Sequence, residues 1–393
     1  MKVLIYSKVF LPVTGGIQTV VSVLARGLAE RERSLGNGKI EVTVVTQTKA
    51  NSEDDLLCSY RIVRSPTLLE LAGLMRKSDV IHIAGATILP IALALLCGKP
   101  MVVEHHGFQA ACPNGLLFYE PTETPCPGHY MAGRYDKCME CNRKKSGLPK
   151  SVSMLLLTPV RRWLLNRARA NIMPTDWLAT VLKLERMRTV YHGIPAQPVD
   201  PLALAEPPTF AFQGRLVSTK GAKLLLRAAE SMLESNQEFR IVIVGEGPER
   251  QDLQSQMSEA LSRRVQLLGH VPDDQLGEVL KDASVVVMPS LGGEVFGLVA
   301  AENMMRGKLL IISDIGAMRE VVGETGLVFP AGDAEELAMC MKRAINEPDL
   351  ALRLGESARR RAMQTFDVDS MIERHVSLYD EVLSGRRKRS SRY

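Results

Sequence analysis

Short apolar runs alternate with helix-period segments along nearly the whole chain, and they do so twice. In the first half the strand-like runs fall at 3–6, 41–46, 61–64, 80–83 and 101–104, with helical patterns between most of them. In the second half they fall at 209–213, 240–244, 265–268, 284–288, 309–313 and 327–329, again separated by helical patterns. A strand made only of apolar residues has no polar face, so it must be covered on both sides. Repeated β-then-α order supplies that cover, as a parallel sheet with helices on each face. The expected fold class is α/β. At 393 residues the chain exceeds one ordinary core, which argues for two such domains. The segment 196–208, with several prolines and little pattern, reads as the linker.

In open parallel sheets, ligands sit outside the carboxyl ends of the strands. The residues that follow each strand are therefore the first candidates. After 284–288 comes Ser290-Leu-Gly-Gly-Glu-Val-Phe-Gly-Leu-Val-Ala-Ala-Glu302. Pro289, Gly292 and Gly293 break the chain, and a helical pattern follows at about 296–306. Glu294 falls in the turn at the helix start and Glu302 further along. Were the whole interval helical, the two would lie roughly 12 Å apart. That is too far to share a proton, but it suits two hydroxyl-rich parts of one extended ligand. The same spacing also reads as a capping Glu followed by a surface Glu.

Other strand ends carry further candidates. Gly214-Arg215 follows 209–213, and Lys220-Gly221 opens the next helical pattern. A guanidinium fork and an ammonium beside a helix N-terminus suit a diphosphate; surface charge is the plain alternative. Gly15-Gly16 stands between the first strand and the first helix, where glycines let N–H groups approach an anion. A tight turn without a ligand explains that pair equally well, and the dinucleotide fingerprint G-x-G-x-x-G is absent. His105-His106-Gly107 follows the fifth strand, placing His106 to bond a ligand, act in acid–base work, or serve as a satisfied loop histidine. His82 reads as structural.

The stretch 108–148 breaks the alternation and reads as a long loop rich in Pro, Gly and Cys. It holds Cys112, Cys126, Cys138 and Cys141, the last two as C-x-x-C. A four-thiolate structural zinc site is one reading; free thiols, or a disulfide under oxidation, are the others, with a stable disulfide disfavoured in the cytosol. The net charge of +5 is mild and shows no basic stripe interleaved with aromatics, which excludes nucleic acid as the expected partner. The segment 151–169 reads as a basic amphipathic helix, with Arg161, Arg162, Arg167 and Arg169 near Trp163. With the basic tail 385–393 it could meet an anionic membrane surface, or simply be solvated. No signal-peptide core or membrane-spanning run is visible, so the expected location is cytoplasmic, with a peripheral place at the inner membrane face possible through that helix.

Taken together, several of these pieces resemble the retaining glycosyltransferases of the GT-B fold, family 4. They are Gly214-Arg-Leu-Val-Ser-Thr-Lys-Gly221, Val244-Gly-Glu-Gly-Pro-Glu249, the element from Glu294 to Glu302, Ser313-Asp-Ile-Gly316, Glu320 and Gly326-Leu-Val-Phe-Pro330. Gly15-Gly16 and His106-Gly107 resemble that family's glycine loop and first-domain histidine. The resemblance implies two Rossmann-like domains whose parallel sheets face each other across a cleft. The first would span 1–195, with the insert 108–148 and a C-terminal helix at 369–385 packing back on it; the second would span 209–368 and bind the nucleotide sugar.

The resemblance also implies roles. Arg215 and Lys220 would neutralise the donor diphosphate, and Glu302 would hold the ribose hydroxyls. Glu294 would contact the donor sugar, helped by the backbone of Val295, Phe296, Gly297 and Leu298. Gly16 would let the first loop reach the diphosphate, and His106 would reach the transferred sugar. No metal would be required for catalysis. The family usually has Asn-Gly-Ile/Val-Asp where this chain has His192-Gly193-Ile194-Pro195, so contacts from that turn do not carry over. The implied reaction moves a hexosyl or N-acetylhexosaminyl unit from a UDP- or GDP-sugar to a lipid-linked or saccharide acceptor, in glycolipid or polysaccharide synthesis. A sugar-nucleotide epimerase or hydrolase on the same fold, and a non-catalytic membrane-associated partner, are the alternatives.

Overall fold

A computed structural model describes residues 1–13, 15–35, 40–49, 55, 58–197 and 205–390. Most of the linker segment, 198–204, therefore lies outside the described residues. The chain divides into two compact units. The first comprises Met1–Gly115, Gly128–Pro195 and Asp367–Tyr393; the second comprises Leu116–Pro127 and Ala196–Phe366. One piece departs from the expected division: Leu116–Pro127, from the middle of the cysteine-rich stretch, belongs with the second unit.

In the first unit the strands are β1 (Lys2–Ser7), β2 (Glu41–Thr46), β3 (Arg61–Arg64), β4 (Val80–Ala84) and β5 (Met101–Glu104). A two-stranded hairpin follows in the chain, β6 (Phe118–Tyr119) and β7 (Thr124–Pro125), and then β8 (Ala170–Met173) and β9 (Met187–Thr189) return to the first unit. The seven-stranded sheet runs β3-β2-β1-β4-β5-β8-β9, parallel throughout. Every residue of β4, β5 and β8 is buried, as strands covered by helices on both faces require. The final helix, Val368–Ser390, packs on helix Gly16–Leu35 and places Met371, Ile372, Leu378, Tyr379 and Val382 in the first unit's core.

The second unit contains β10 (Thr209–Gln213), β11 (Arg240–Val244), β12 (Val265–Gly269), β13 (Val285–Met288), β14 (Leu309–Ser313) and β15 (Gly326–Phe329). Its sheet runs β12-β11-β10-β13-β14-β15, also parallel throughout. In both sheets the strand order reverses beside the first strand, at β1/β4 and at β10/β13. Such a reversal opens a crevice at the carboxyl ends of the two strands.

Several boundaries differ from the pattern reading. The stretch 108–148 is not structureless: it holds the β6–β7 hairpin and the helix Tyr135–Ser146. Residues 250–262 form two short helices, Arg250–Gln256 and Glu259–Ser262, with Ser258 capping the second. The helix after β13 begins at Leu298, because Gly297 takes a left-handed conformation at its cap (φ 93°). Asp333 caps the helix Ala334–Asn346, accepting from the N–H groups of Glu335 and Glu336.

Candidate active site

The second unit builds its site from two turns at the β10/β13 reversal. After β10 the chain passes Arg215 into a short 3-10 turn, Ser218–Lys220, and closes on Gly221. Gly221 has φ 73°, and a Cβ there would lie 1.9 Å from the carbonyl oxygen of Pro289. Only glycine allows the two turns to approach this closely. The N–H groups of Leu291 and Gly292 both donate to Thr219 O, at 2.9 Å each, which locks the turns together.

That docking brings Lys220 to Glu294. Lys220 Nζ donates to Glu294 Oε1 at 2.5 Å, and Ser290 Oγ donates to the same oxygen at 2.8 Å. Glu294 is held on its main chain as well, since Ala317 N donates to its carbonyl at 2.9 Å and a Cβ on Gly316 would strike its backbone. The carboxylate is largely buried, while Lys220 keeps a third of its surface open. Arg215 is exposed, and its guanidinium makes no hydrogen bond or ion pair among the described residues.

Helix Leu298–Met305 starts with no side-chain cap. Its first N–H groups are therefore available to an oxygen-rich ligand. Val295 is partly exposed in the turn before it, and Phe296 is buried against Phe366. Glu302 is partly buried on the helix. Burial, reinforced by Asp273, pushes its carboxyl up to about 7 against the opposing pull of Arg306. A carboxylate poised in this way gains from hydroxyl donors.

In the first unit, Gly15 and Gly16 are exposed at the start of a twenty-residue helix that follows β1. His106 follows β5. Its side chain is 5% exposed, stacks on His192 and turns Nε2 to within 3.5 Å of Glu104 Oε2. Glu104 is fully buried; burial alone would raise its pKa, but His106 and His82 hold it well below the usual carboxylate range. His82 is structural, as expected, with Nε2 on Glu104 and Nδ1 on the Tyr379 hydroxyl. Ser290, Glu104, His375 and Tyr379 do not stand out in the sequence. Ser290 lies within the 290–302 stretch, but the others become related only through packing.

Of the four cysteines of the expected zinc site, Cys112, Cys138 and Cys141 belong to the first unit and Cys126 to the second. None of the seven cysteines is in a disulfide. Cys112 Sγ donates to the Asn114 carboxamide, whose Nδ2 donates to Cys141 Sγ at 3.7 Å. The only group of three His, Cys, Asp or Glu ligand atoms within 4.8 Å of one another, among the described residues, contains no cysteine. The membrane reading also changes in detail: Arg161 and Arg162 turn inward. Arg161 donates to the carbonyls of Ala86 and Gln109, and Arg162 to those of Ala110, Leu182 and Lys183.

Two family models match the chain. Residues 14–197 match the one described as Glycosyltransferase Family 4, and residues 195–361 the one described as Glycosyl transferases group 1. Among relatives, a 2-deoxystreptamine glucosyltransferase of Streptomyces kanamyceticus is 28% identical over 67% of this chain and 74% of its own. A phosphatidyl-myo-inositol mannosyltransferase of Mycobacterium leprae is 32% identical over 44% of this chain and 46% of its own. Of solved structures, HepE of Anabaena in complex with UDP superposes with a TM-score of 0.73 at 17% identity, covering 97% of this chain and all of that one. Sucrose-phosphate synthase of Thermosynechococcus elongatus gives 0.70 at 19% identity, covering 98% and 99%.

Proposed function

The chain belongs to the family 4 glycosyltransferases of the GT-B fold, and from that premise we propose that it is a retaining hexosyltransferase whose donor, a nucleoside diphosphate sugar, is held by Lys220, Arg215, Glu294 and Glu302. The observation that carries this reading is the Lys220–Glu294 pair, clamped at the β10/β13 reversal beside an uncapped helix start. UDP is the favoured donor nucleotide, since HepE of this fold was solved with UDP and with UDP-glucose; a GDP-sugar is the second choice.

In the free enzyme Lys220 and Glu294 neutralise each other. A bound donor divides them: its diphosphate takes Lys220 and the open Arg215, and sugar hydroxyls take the carboxylate. The acceptor oxygen then bonds to C1 as the bond from C1 to the diphosphate oxygen breaks. The acceptor proton passes to the departing phosphate, giving the glycoside and a nucleoside diphosphate. The two cations and the helix start stabilise charge that develops on the leaving oxygens, and stabilisation of this kind usually lowers the barrier more than any other single effect in an active site. In the donor complex Glu294 keeps the Ser290 hydroxyl and accepts from the sugar hydroxyls, which makes it a poor nucleophile. This supports front-face retention over a covalent glycosyl-enzyme.

Glycolipid or polysaccharide acceptors fit the relatives, among them a lipopolysaccharide core mannosyltransferase of Rhizobium leguminosarum, 28% identical over 58% of this chain and 69% of its own. A peripheral place at an anionic membrane fits helix Leu148–Leu165. It contains no Asp or Glu, and Leu148, Val152, Leu156, Leu157, Val160 and Trp163 are all exposed at helical spacing. Arg167 stacks 3.8 Å over Trp163 at its end. No helix among the described residues is long and apolar enough to cross a membrane.

The test is turnover of UDP-glucose and GDP-mannose, with the anomeric configuration of the product read by NMR. The α-donor should yield the α-product. An inverted product, or sugar-nucleotide hydrolysis unaffected by any acceptor, would reject the assignment.

A further inference from the structure

The buried heart of the first unit holds a cluster that the proposed chemistry does not use. His82 on β4, Glu104 at the end of β5 and His375 on the final helix are each 0% exposed, and their ligand atoms lie within 4.8 Å of one another. We propose that this trio is a structural site for a divalent transition-metal ion, zinc in the first place, bound by His82 Nε2, His375 Nε2 and the Glu104 carboxylate.

His375 Nδ1 lies 2.9 Å from the carbonyl oxygen of Met371, and a carbonyl can only accept, so Nδ1 carries the hydrogen. His375 Nε2 points at Glu104 Oε1 from 3.9 Å, and neither atom has a hydrogen bond. A proton shared between them would draw an imidazolium and a carboxylate to about 2.8 Å. His192 Nδ1 also approaches that carboxylate oxygen, at 3.5 Å; without a cation, Glu104 Oε1 and His375 Nε2 face each other as two buried acceptors, an arrangement that costs free energy. Ligand atoms around a tetrahedral zinc sit about 3.4 Å apart. To reach that spacing the 3.9 Å gap from His375 would contract and the 3.0 Å gap from His82 Nε2 to Glu104 Oε2 would widen, its hydrogen bond giving way to the ion.

The outer partners follow the same logic. Histidines that hold a metal usually direct the other ring nitrogen to a fixed partner, which sets the tautomer. His375 has the Met371 carbonyl, and His82 Nδ1 has the Tyr379 hydroxyl at 2.8 Å. Tyr379 OH can act as donor or acceptor, so it permits His82 Nε2 to lose its hydrogen to a metal. Two imidazoles and one carboxylate match zinc's preference for nitrogen and oxygen donors, leaving a fourth place for water or His106. Such an ion would tie two neighbouring strands to the last helix.

The experiment uses the full-length protein, produced in zinc-supplemented and in cobalt-supplemented medium. Elemental analysis should find close to one ion per chain. The cobalt form should show d–d absorption without thiolate-to-cobalt charge transfer, which separates this site from the cysteines. Cys138→Ser should keep the ion. His375→Gln and Glu104→Gln should each lose it while retaining the helical signal in circular dichroism. Removing the ion from the wild type with a chelator should lower Tm. Wild-type protein without bound metal, a thiolate band in the cobalt form, or metal retained in folded His375→Gln would each overturn the proposal. The wild-type measurements decide even if a variant fails to fold.

Discussion

Lys220 and Glu294 are 74 residues apart in sequence and share a hydrogen-bonded ion pair. Each was legible as a candidate because each follows a strand; their pairing was not, because it depends on how two turns dock. Replacing either by alanine should cut turnover by about 10²–10³-fold, the scale of losing one fixed electrostatic contact to a leaving group. Near-wild-type kcat in a folded variant would remove that residue from the mechanism. Glu302 makes a pH prediction. Its carboxyl rises from 4.5 to about 7 on folding, so the folded chain binds a proton more readily than the unfolded one. Its contribution therefore favours the fold at the low end of that window, and stability falls as pH rises from 4.5 towards 7. Glu302→Gln should flatten this decline in thermal unfolding measured across that range. Ribose hydroxyls prefer the ionised form, so nucleotide binding near pH 6.5 should release protons in the wild type. Calorimetry in buffers of different ionisation enthalpy should detect that release, and should find it missing in Glu302→Gln. His106 has a family role and a local setting that the sequence does not connect. A histidine after a strand suggests a ligand contact, whereas its ring packs on His192 and faces Glu104. Nothing in the sequence near His106 reveals that neighbour's buried charge.

At the scale of elements, the strands were legible because both faces of the sheets are covered, so their apolar runs are unbroken. The cysteine-rich stretch was not. Its helix Tyr135–Ser146 is too polar to carry a strong apolar stripe, and β6 and β7 are two residues each. The turn at Gly221 gives a sharp prediction. A side chain there would have to enter a left-handed conformation and displace the Pro289 carbonyl. Gly221→Ala should destabilise the second unit by on the order of 2–4 kcal/mol and weaken donor binding, both read by thermal unfolding with and without UDP. Wild-type stability in this variant would show that the close approach does not matter. Helix Leu148–Leu165 gives another. Its basic residues suggest the membrane contact in the sequence, but Arg161 and Arg162 staple backbone carbonyls, and the outward face is apolar. Leu156→Ser with Trp163→Ser should reduce co-sedimentation with anionic vesicles several-fold while leaving turnover of a soluble acceptor unchanged. Undiminished vesicle binding would move any membrane contact elsewhere.

For the whole molecule, the two sheets share one strand order over six strands, the first sheet adding a seventh, from sequences with no visible repeat. What they share is the physics of covered parallel strands, and that much could be read from the chain alone. The placement of the last helix within the first unit rests on Met371, Ile372, Tyr379 and Val382, whose spacing marks an apolar face without naming the sheet it covers. The central claim is that the second unit grips a sugar nucleotide through the clamped turns after β10 and β13. Thermal unfolding with saturating UDP-glucose or GDP-mannose tests it most directly, comparing the wild type with Lys220→Ala and Glu294→Ala. At least one donor should raise the wild-type Tm, by roughly 2–4 °C for each kcal/mol of binding free energy gained, and the shift should largely vanish in both variants. An equal shift in all three proteins, or none in the wild type with any sugar nucleotide, would contradict it.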